Sequence, residues 1–264
     1  MKKYFYIARN TWRVAFAYRL SFLIWRIRNV VQYLLAYLFW IAVIPSNSSV
    51  LGYTQNEIIT YTFGSMIVVS IVFSTLTPNI ASEINEGKLS QYLLQPTSYI
   101  KFWFGKDIAD KALNILFSVI ELSILFFLLH PPVFLQTQLV TLFLSLLTIC
   151  LAVILYFFFS IILSLYGFWS NESWGVRFIF QQLVSFLSGA IFPLDMLPKP
   201  IFGLFQALPF PYMLFFPLKV YMGELSSHEI MIGLLVMVFW IQALYLLTYG
   251  IWRIGLRSYT AQGN

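Results

Sequence analysis

Apolar residues run in long blocks along this chain, and the polar residues gather between them. Six blocks occupy residues 30–44, 58–80, 108–129, 139–168, 176–194 and 229–252. A helix needs about 20 apolar residues to cross a ~30 Å hydrocarbon layer, and in a helix the backbone polar groups satisfy one another. The pattern therefore predicts an all-α polytopic membrane protein with six transmembrane helices. The fourth block is longer than one perpendicular crossing and is expected to tilt or to continue past the membrane. The fifth is the most interrupted, with Arg177, Gln181 and Gln182 near its start and Pro193 near its end.

Composition supports the bilayer as solvent. The 264 residues are 60% hydrophobic and 10% charged, with a mean hydropathy of +0.81, more apolar surface than a soluble core can hide. The single Cys150 excludes an intrachain disulfide and a cysteine-based metal site. A net charge of +6 would suggest nucleic acid in a soluble protein, but here the basic residues flank the apolar blocks and report topology, so no nucleic-acid partner is expected. With the N-terminus inside, Lys2, Lys3, Arg9, Arg13, Arg19, Arg26, Arg28, Lys88, Lys101, Lys106, Lys111, Arg177, Arg253 and Arg257 face the cytoplasm. Only Lys199 and Lys219 of the 16 basic residues are left outside. Both termini are accordingly expected to be cytoplasmic, in keeping with an even number of spans.

Residues 1–28 carry seven of those basic residues, no acid, and aromatics such as Phe5, Trp12, Phe16 and Trp25. They predict an interfacial helix resting on anionic lipid headgroups, bent near Tyr18, ahead of a transmembrane domain over residues 29–264. The alternative is a signal peptide; the length of the basic region and the lack of a small-residue cleavage site argue against it.

The loop between the second and third blocks, residues 83–111, concentrates charge, a glycine and a proline. Leu89, Tyr92 and Leu93 fall at i, i+3 and i+4 and form one apolar face of a short helix that follows Gly87 and closes at Pro96. Tyr99, Phe102 and Trp103 repeat the spacing with Lys101 and Lys106 on a polar side, so a second short helix is expected along the membrane. From the pattern alone the loop is either an amphipathic connector on lipid or a docking element.

Within the third block, Asp107, Lys111, Asn114, Ser118 and Glu121 are spaced 4, 3, 4 and 3 apart and make one polar stripe. Asn114, Ser118 and Glu121 are candidates for a conduit or a subunit interface; equally, Glu121 can serve as hydrogen-bonded glue between helices. Ser70, Ser74 and Thr77 repeat the spacing on the second block and suit close helix packing. Six of the eleven prolines fall between 193 and 217, where the sequence stays apolar, so residues 193–225 are expected to form short helical pieces dipping into the outer leaflet, or a plain loop on the headgroups.

The run Glu83, Ile84, Asn85, Glu86, Gly87, Lys88, Leu89, continuing through Tyr92, Leu93 and Leu94 to Pro96, resembles the loop of permease subunits in the type-2 exporter branch of ATP-binding-cassette transporters. The basic N-terminal helix, the six-span count and the run from Ser188 through Pro193 and Asp195 to Pro198, then Pro209 and Pro211, are similar to the same family. The nearest subfamily pairs two unlike permeases with one ATPase. The resemblance implies that Glu83, Glu86, Gly87, Lys88, Leu89, Tyr92, Leu93, Leu94 and Pro96 form a coupling helix docking on a nucleotide-binding subunit. It implies too that Pro193, Asp195, Pro198, Pro209 and Pro211 belong to a re-entrant hairpin capping the path from outside. A second permease, like or unlike, membrane lipid, and the bacterial cytoplasmic membrane are further implications.

No phosphate-binding loop occurs: Gly87-Lys88 is followed by Leu89, and Gly105-Lys106 by Asp107. The chain is thus expected to bind no cofactor and to be no enzyme, ATP and Mg being used by the partner ATPase, with a lipid-like, amphipathic drug or peptide substrate exported. A membrane enzyme acting on lipid is a poorer reading, since His130 and His228 are the only histidines and no catalytic cluster is visible. An ion-coupled secondary transporter would need paired intramembrane charges or interrupted helices in two related halves.

Overall fold

A computed structural model describes residues 2–45, 49–96, 98–172 and 174–259, with side chains from residue 6 onward. The side chains of Lys2, Lys3 and Phe5 and the last five residues of the expected membrane domain lie outside this description. The fold is helical throughout, apart from a two-residue antiparallel pairing of β1 (Ser49–Val50) with β2 (Tyr53–Thr54). Among the described residues four segments are long and apolar enough to cross a membrane: Gln55–Asn85, Tyr99–Leu129, Leu139–Phe168 and Ser227–Ser258.

Helix α1 (Lys2–Ala17) ends at Tyr18, whose φ of −96° and ψ of 43° break the helix where the bend was expected, and α2 (Arg19–Val43) follows. The first apolar block is therefore the second part of a helix that begins at Arg19, and Arg19, Arg26 and Arg28 dilute its apolar character. The second block is broken. α3 (Gln55–Val68) starts with a capping box in which Thr54 Oγ1 accepts from the Glu57 amide and Glu57 accepts from the Thr54 amide at 2.8 Å. It loosens into a π-helical turn at Val69–Phe73, leaves the helix at Ser74, and resumes as α4 (Pro78–Asn85), with proline at the first helical position.

A one-turn helix α5 (Leu89–Leu93) joins α4 to α6 (Tyr99–Leu129). The second short loop helix expected around Tyr99 and Trp103 is instead the beginning of α6. Trp103 is buried, so its ring is drawn into the bundle rather than onto the membrane surface. α7 (Leu139–Leu165) and a 3₁₀ turn (Tyr166–Phe168) reproduce the fourth block end to end. α8 (Trp174–Leu187) has 14 residues, about 21 Å at 1.5 Å per residue, short of a ~30 Å crossing. Past it come α9 (Lys199–Gln206), α10 (Phe215–Met222) and α11 (Ser227–Ser258), the last begun by a Ser226/Glu229 capping box.

α7 is the central helix, packed against α11, α10 and α4. Ile80, Ile84, Leu89, Trp103, Phe157 and Phe168 form one apolar cluster at the end of the bundle where α4 meets α6. At the other end Tyr53, Ile44 and Ile58 belong to a cluster between α2 and α3. The chain past α8 turns at Gly189, whose φ of +83° suits a residue without Cβ. The Gly189 carbonyl accepts from the Tyr61 hydroxyl at 2.7 Å, and the Phe215 amide donates to the Ser188 carbonyl at 3.0 Å. Backbone freed by the break is thus satisfied inside the protein.

Candidate functional site

The loop after α4 is firmly seated on one side and open on the other. Gly87, with φ +73°, ends α4 in the left-handed conformation that frees the chain to turn. Glu83 accepts from Tyr99 Oη at 2.6 Å and from Tyr92 Oη at 3.2 Å, with Lys106 Nζ 3.8 Å away. Burial, and then the Glu83 charge, push the Tyr92 phenol up to about 12. The Ser90 amide donates to Tyr259 Oη at 3.1 Å, fastening α5 to the chain just beyond α11, and Asn85 Nδ2 donates to the Asn171 carbonyl at 3.3 Å. Leu89 is fully buried and Leu94 is 89% exposed. Leu89 and Leu93 therefore do not share one outward face: Leu89 anchors the turn in the apolar cluster, while Leu93, Leu94 and Pro96 stand outside it. Glu86 and Lys88 pair with each other on the same open side.

Behind this seat lies a buried polar seam around the break in Gln55–Asn85. Lys111 Nζ donates to the Val72 carbonyl at 2.9 Å and to the Ser74 carbonyl. Asp107 accepts from Thr75 Oγ1 at 2.6 Å and faces Lys111 at 3.4 Å. Thr77 Oγ1 lies 2.6 Å from Ser160 Oγ, and Arg177 donates to Ser160 at 2.7 Å, to Ser164 at 2.8 Å and to Thr77 at 3.2 Å. Three helices, α6, α7 and α8, thus supply donors and acceptors to the unwound stretch. Lys111, only 3% exposed, and the half-buried Arg177 spend their charges on these partners inside the bundle. Their neighbours, not the membrane surface, explain their presence.

A second charged contact lies between α2 and α6. Arg26, also counted among the flanking charges, is buried, faces Glu121 at 3.4 Å and bonds Asn114. Its guanidinium stands 5.1 Å from the Phe22 ring centroid and 5.4 Å from that of Phe117. Asn114 Nδ2 donates to the Asp110 carboxylate at 3.0 Å. Asn114 and Glu121 come together through Arg26, whereas the Ser118 hydroxyl is buried with no hydrogen-bond partner among the described residues. The stripe's spacing was visible in sequence; the arginine that completes it sits 95 residues upstream of Glu121 and left no local signal.

At the opposite end Asp195 accepts from Tyr53 Oη at 2.8 Å and pairs with Lys219 at 2.7 Å; Lys219 also pairs with Glu224. These groups border a cavity of about 140 Å³. Burial and the Asp195 charge raise the Tyr53 phenol well above its ordinary range. Pro193 and Pro198 bracket the 3₁₀ turn Leu194–Met196, while Pro209 and Pro211 shape the 3₁₀ turn Phe210–Met213. The sequence pointed to Asp195 and the prolines but not to Tyr53, Lys219 or Glu224 as their companions.

Membrane-length helices, a broken one among them, with charges held in the interior, define a polytopic helical membrane protein. Residues 30–263 match the family described as ABC-2 family transporter protein, and the chain belongs to that family. No curated protein matches the chain. Membership makes this a membrane component of an ATP-binding-cassette transporter rather than a catalytic subunit, a type of component that works with an ATP-binding subunit.

Proposed function

We propose that this chain is the permease of an ATP-driven exporter, with both termini in the cytoplasm of a bacterial cell, and that residues 83–96 dock on the ATPase. The observation that carries the reading is the construction of that loop. It is clamped through Glu83, Leu89 and Ser90, yet exposes Leu93, Leu94 and Pro96 at its tip. Apolar side chains held outward on a rigid seat suit a protein partner. Because α4 is separated from α3 by the break at residues 74–77, a push on the loop can swing α4 without carrying α3 as one rod. The Lys111, Asp107 and Arg177 contacts would hold the hinge in the arrangement described and exchange partners when it moves.

In the same reading, α2 and the segment 176–194, which is α8 continued by the non-helical chain after it, complete six spans with the four long segments. The helical pieces after α8, over residues 193–225, form a re-entrant cap whose outer closure rests on Asp195, Lys219 and Tyr53. A second permease, identical or not, completes the path; ATP and Mg act on the partner ATPase; the cargo is a lipid-like or amphipathic molecule.

One observation favours a second reading, an ion-coupled carrier. The Lys111–Asp107 and Arg26–Glu121 pairs are paired interior charges, which such carriers use. The two readings separate on purification in mild detergent from cells expressing the natural neighbours. Co-elution of an ATPase whose hydrolysis rate responds to the presence of this chain supports the exporter. The chain eluting without an ATPase, with transport in vesicles following an imposed ion gradient, supports the carrier.

A further inference from the structure

α1 and the start of α6 lie side by side, stitched where the Trp12 indole donates to the Ala109 carbonyl at 2.8 Å. Between them opens a groove of about 470 Å³ lined by Tyr6, Ile7 and Asn10 from α1 and by Phe102 and Lys106 from α6. The helical spacing explains the lining: positions 6, 7 and 10 share one face of α1, and 102 and 106 share one face of α6. Most of the wall is apolar, and one cation stands in it. Lys106 Nζ lies 4.1 Å from the Trp103 ring centroid and 4.9 Å from that of Phe102. Its contact with Glu83, at 3.8 Å, is charge facing charge and too long for a hydrogen bond, so the ammonium donors retain room for another acceptor.

The surroundings say what kind of acceptor. Arg13, one turn on from Asn10, and Lys101, next to Phe102, are exposed, and residues 1–28 hold seven basic residues and no acid. An apolar trough with a cation in its wall, bordered by aromatic rings and a positive field, complements an amphiphile with a hydrocarbon tail and an anionic head. We infer that the groove between α1 and α6 binds one anionic phospholipid, with an acyl chain along Ile7 and Phe102 and its phosphate on Lys106. The headgroup then sits beside Glu83, the acceptor that holds Tyr92 and Tyr99 of the loop seat. This assignment needs the chain to lie in a membrane but not that it be an exporter, so it stands or falls apart from the function proposed above.

The test is native mass spectrometry of the full chain equilibrated with equimolar phosphatidylglycerol and phosphatidylcholine, followed by progressive delipidation. The wild type is expected to keep one phosphatidylglycerol per chain after the phosphatidylcholine is gone. Lys106→Gln should lower that retention by about fivefold, the share of one lysine near an anionic surface. Asn10→Trp, which fills the groove while leaving the cation, should lower retention of both lipids, and Lys199→Gln should change nothing. Melting curves report whether each variant is folded; should Lys106→Gln unfold, Asn10→Trp decides. Equal retention of the two lipids by the wild type, no retained lipid, or wild-type retention by a folded Lys106→Gln or Asn10→Trp variant would overturn the assignment. Displacement by an excess of glycerol phosphate would overturn it as well, by showing that the ligand is a soluble phosphate.

Discussion

Lys111 Nζ on α6 donates to the carbonyl oxygen of Val72, 2.9 Å away at the point where the segment Gln55–Asn85 loses its helical bonding. The break and the buried cation require each other. Without the lysine, the Val72 and Ser74 carbonyls face an apolar interior; without the carbonyls and Asp107, the ammonium has no counterweight.

Removing one member of that set should therefore cost more than removing two. Lys111→Met leaves Asp107 buried and two carbonyls short of a donor, and is expected to destabilise the protein by about 3–5 kcal/mol. Lys111→Met with Asp107→Leu should recover part of the loss. Melting of the four proteins in detergent, treated as a double-mutant cycle, gives the coupling directly.

The Arg26–Glu121 contact invites a different comparison. If Glu121 serves to join α2 to α6, Glu121→Gln should lower the melting temperature in the wild type and have little further effect once Arg26→Gln is present, with a coupling of about 0.5–3 kcal/mol. Equal effects in both backgrounds would separate Glu121 from Arg26 and return it to the candidates for a conduit.

Gly189→Ala should destabilise by about 1–3 kcal/mol. Its φ of +83° disfavours a side chain, and a Cβ there would lie 2.8 Å from Tyr61 Oη. Tyr61→Phe, which removes only the hydroxyl donated to the Gly189 carbonyl, should cost about 1 kcal/mol. The two changes should not be additive, because both act on one contact.

Lys219→Met should loosen the far end of the bundle by leaving Asp195 and Glu224 facing each other without their shared cation. Hydrogen exchange should rise in β1, β2 and the 194–196 turn, while the loop at residues 83–96 keeps its protection. A rise at both ends would mean that the two ends are coupled through the interior.

Much of this arrangement was legible in the sequence. Leu139–Phe168 could be read end to end because an uninterrupted apolar run leaves a helix no alternative. The turn at Tyr18 and the irregular backbone after α8 also follow from residues visible in the chain. The break at residues 74–77 was not legible: Ser70, Ser74 and Thr77 read as packing hydroxyls at helical spacing, and Pro78 was compatible with one continuous apolar run. The partners of Arg26, Lys111 and Arg177 were not legible either, because counting charges at the ends of apolar blocks registers position along the chain and not the direction of a side chain. The i, i+4 spacing puts Leu89 and Leu93 on one face, yet in a helix of a single turn the neighbouring cluster of Ile80, Ile84 and Trp103 decides which one is buried. Pairings such as Tyr53 with Asp195, far apart in sequence, leave no local trace.

The docking role of the loop is tested most directly by a double and a single substitution in the same co-purification. Leu93→Asp with Leu94→Asp changes exposed side chains and should leave melting within about 0.5 kcal/mol of wild type, while the ATPase is lost from the eluate. Leu89→Asp places a charge in the apolar cluster and should lower stability as well as ATPase recovery. An ATPase recovered at wild-type level with the folded Leu93→Asp, Leu94→Asp protein would contradict the account, because the exposed tip would then not be what the partner grips.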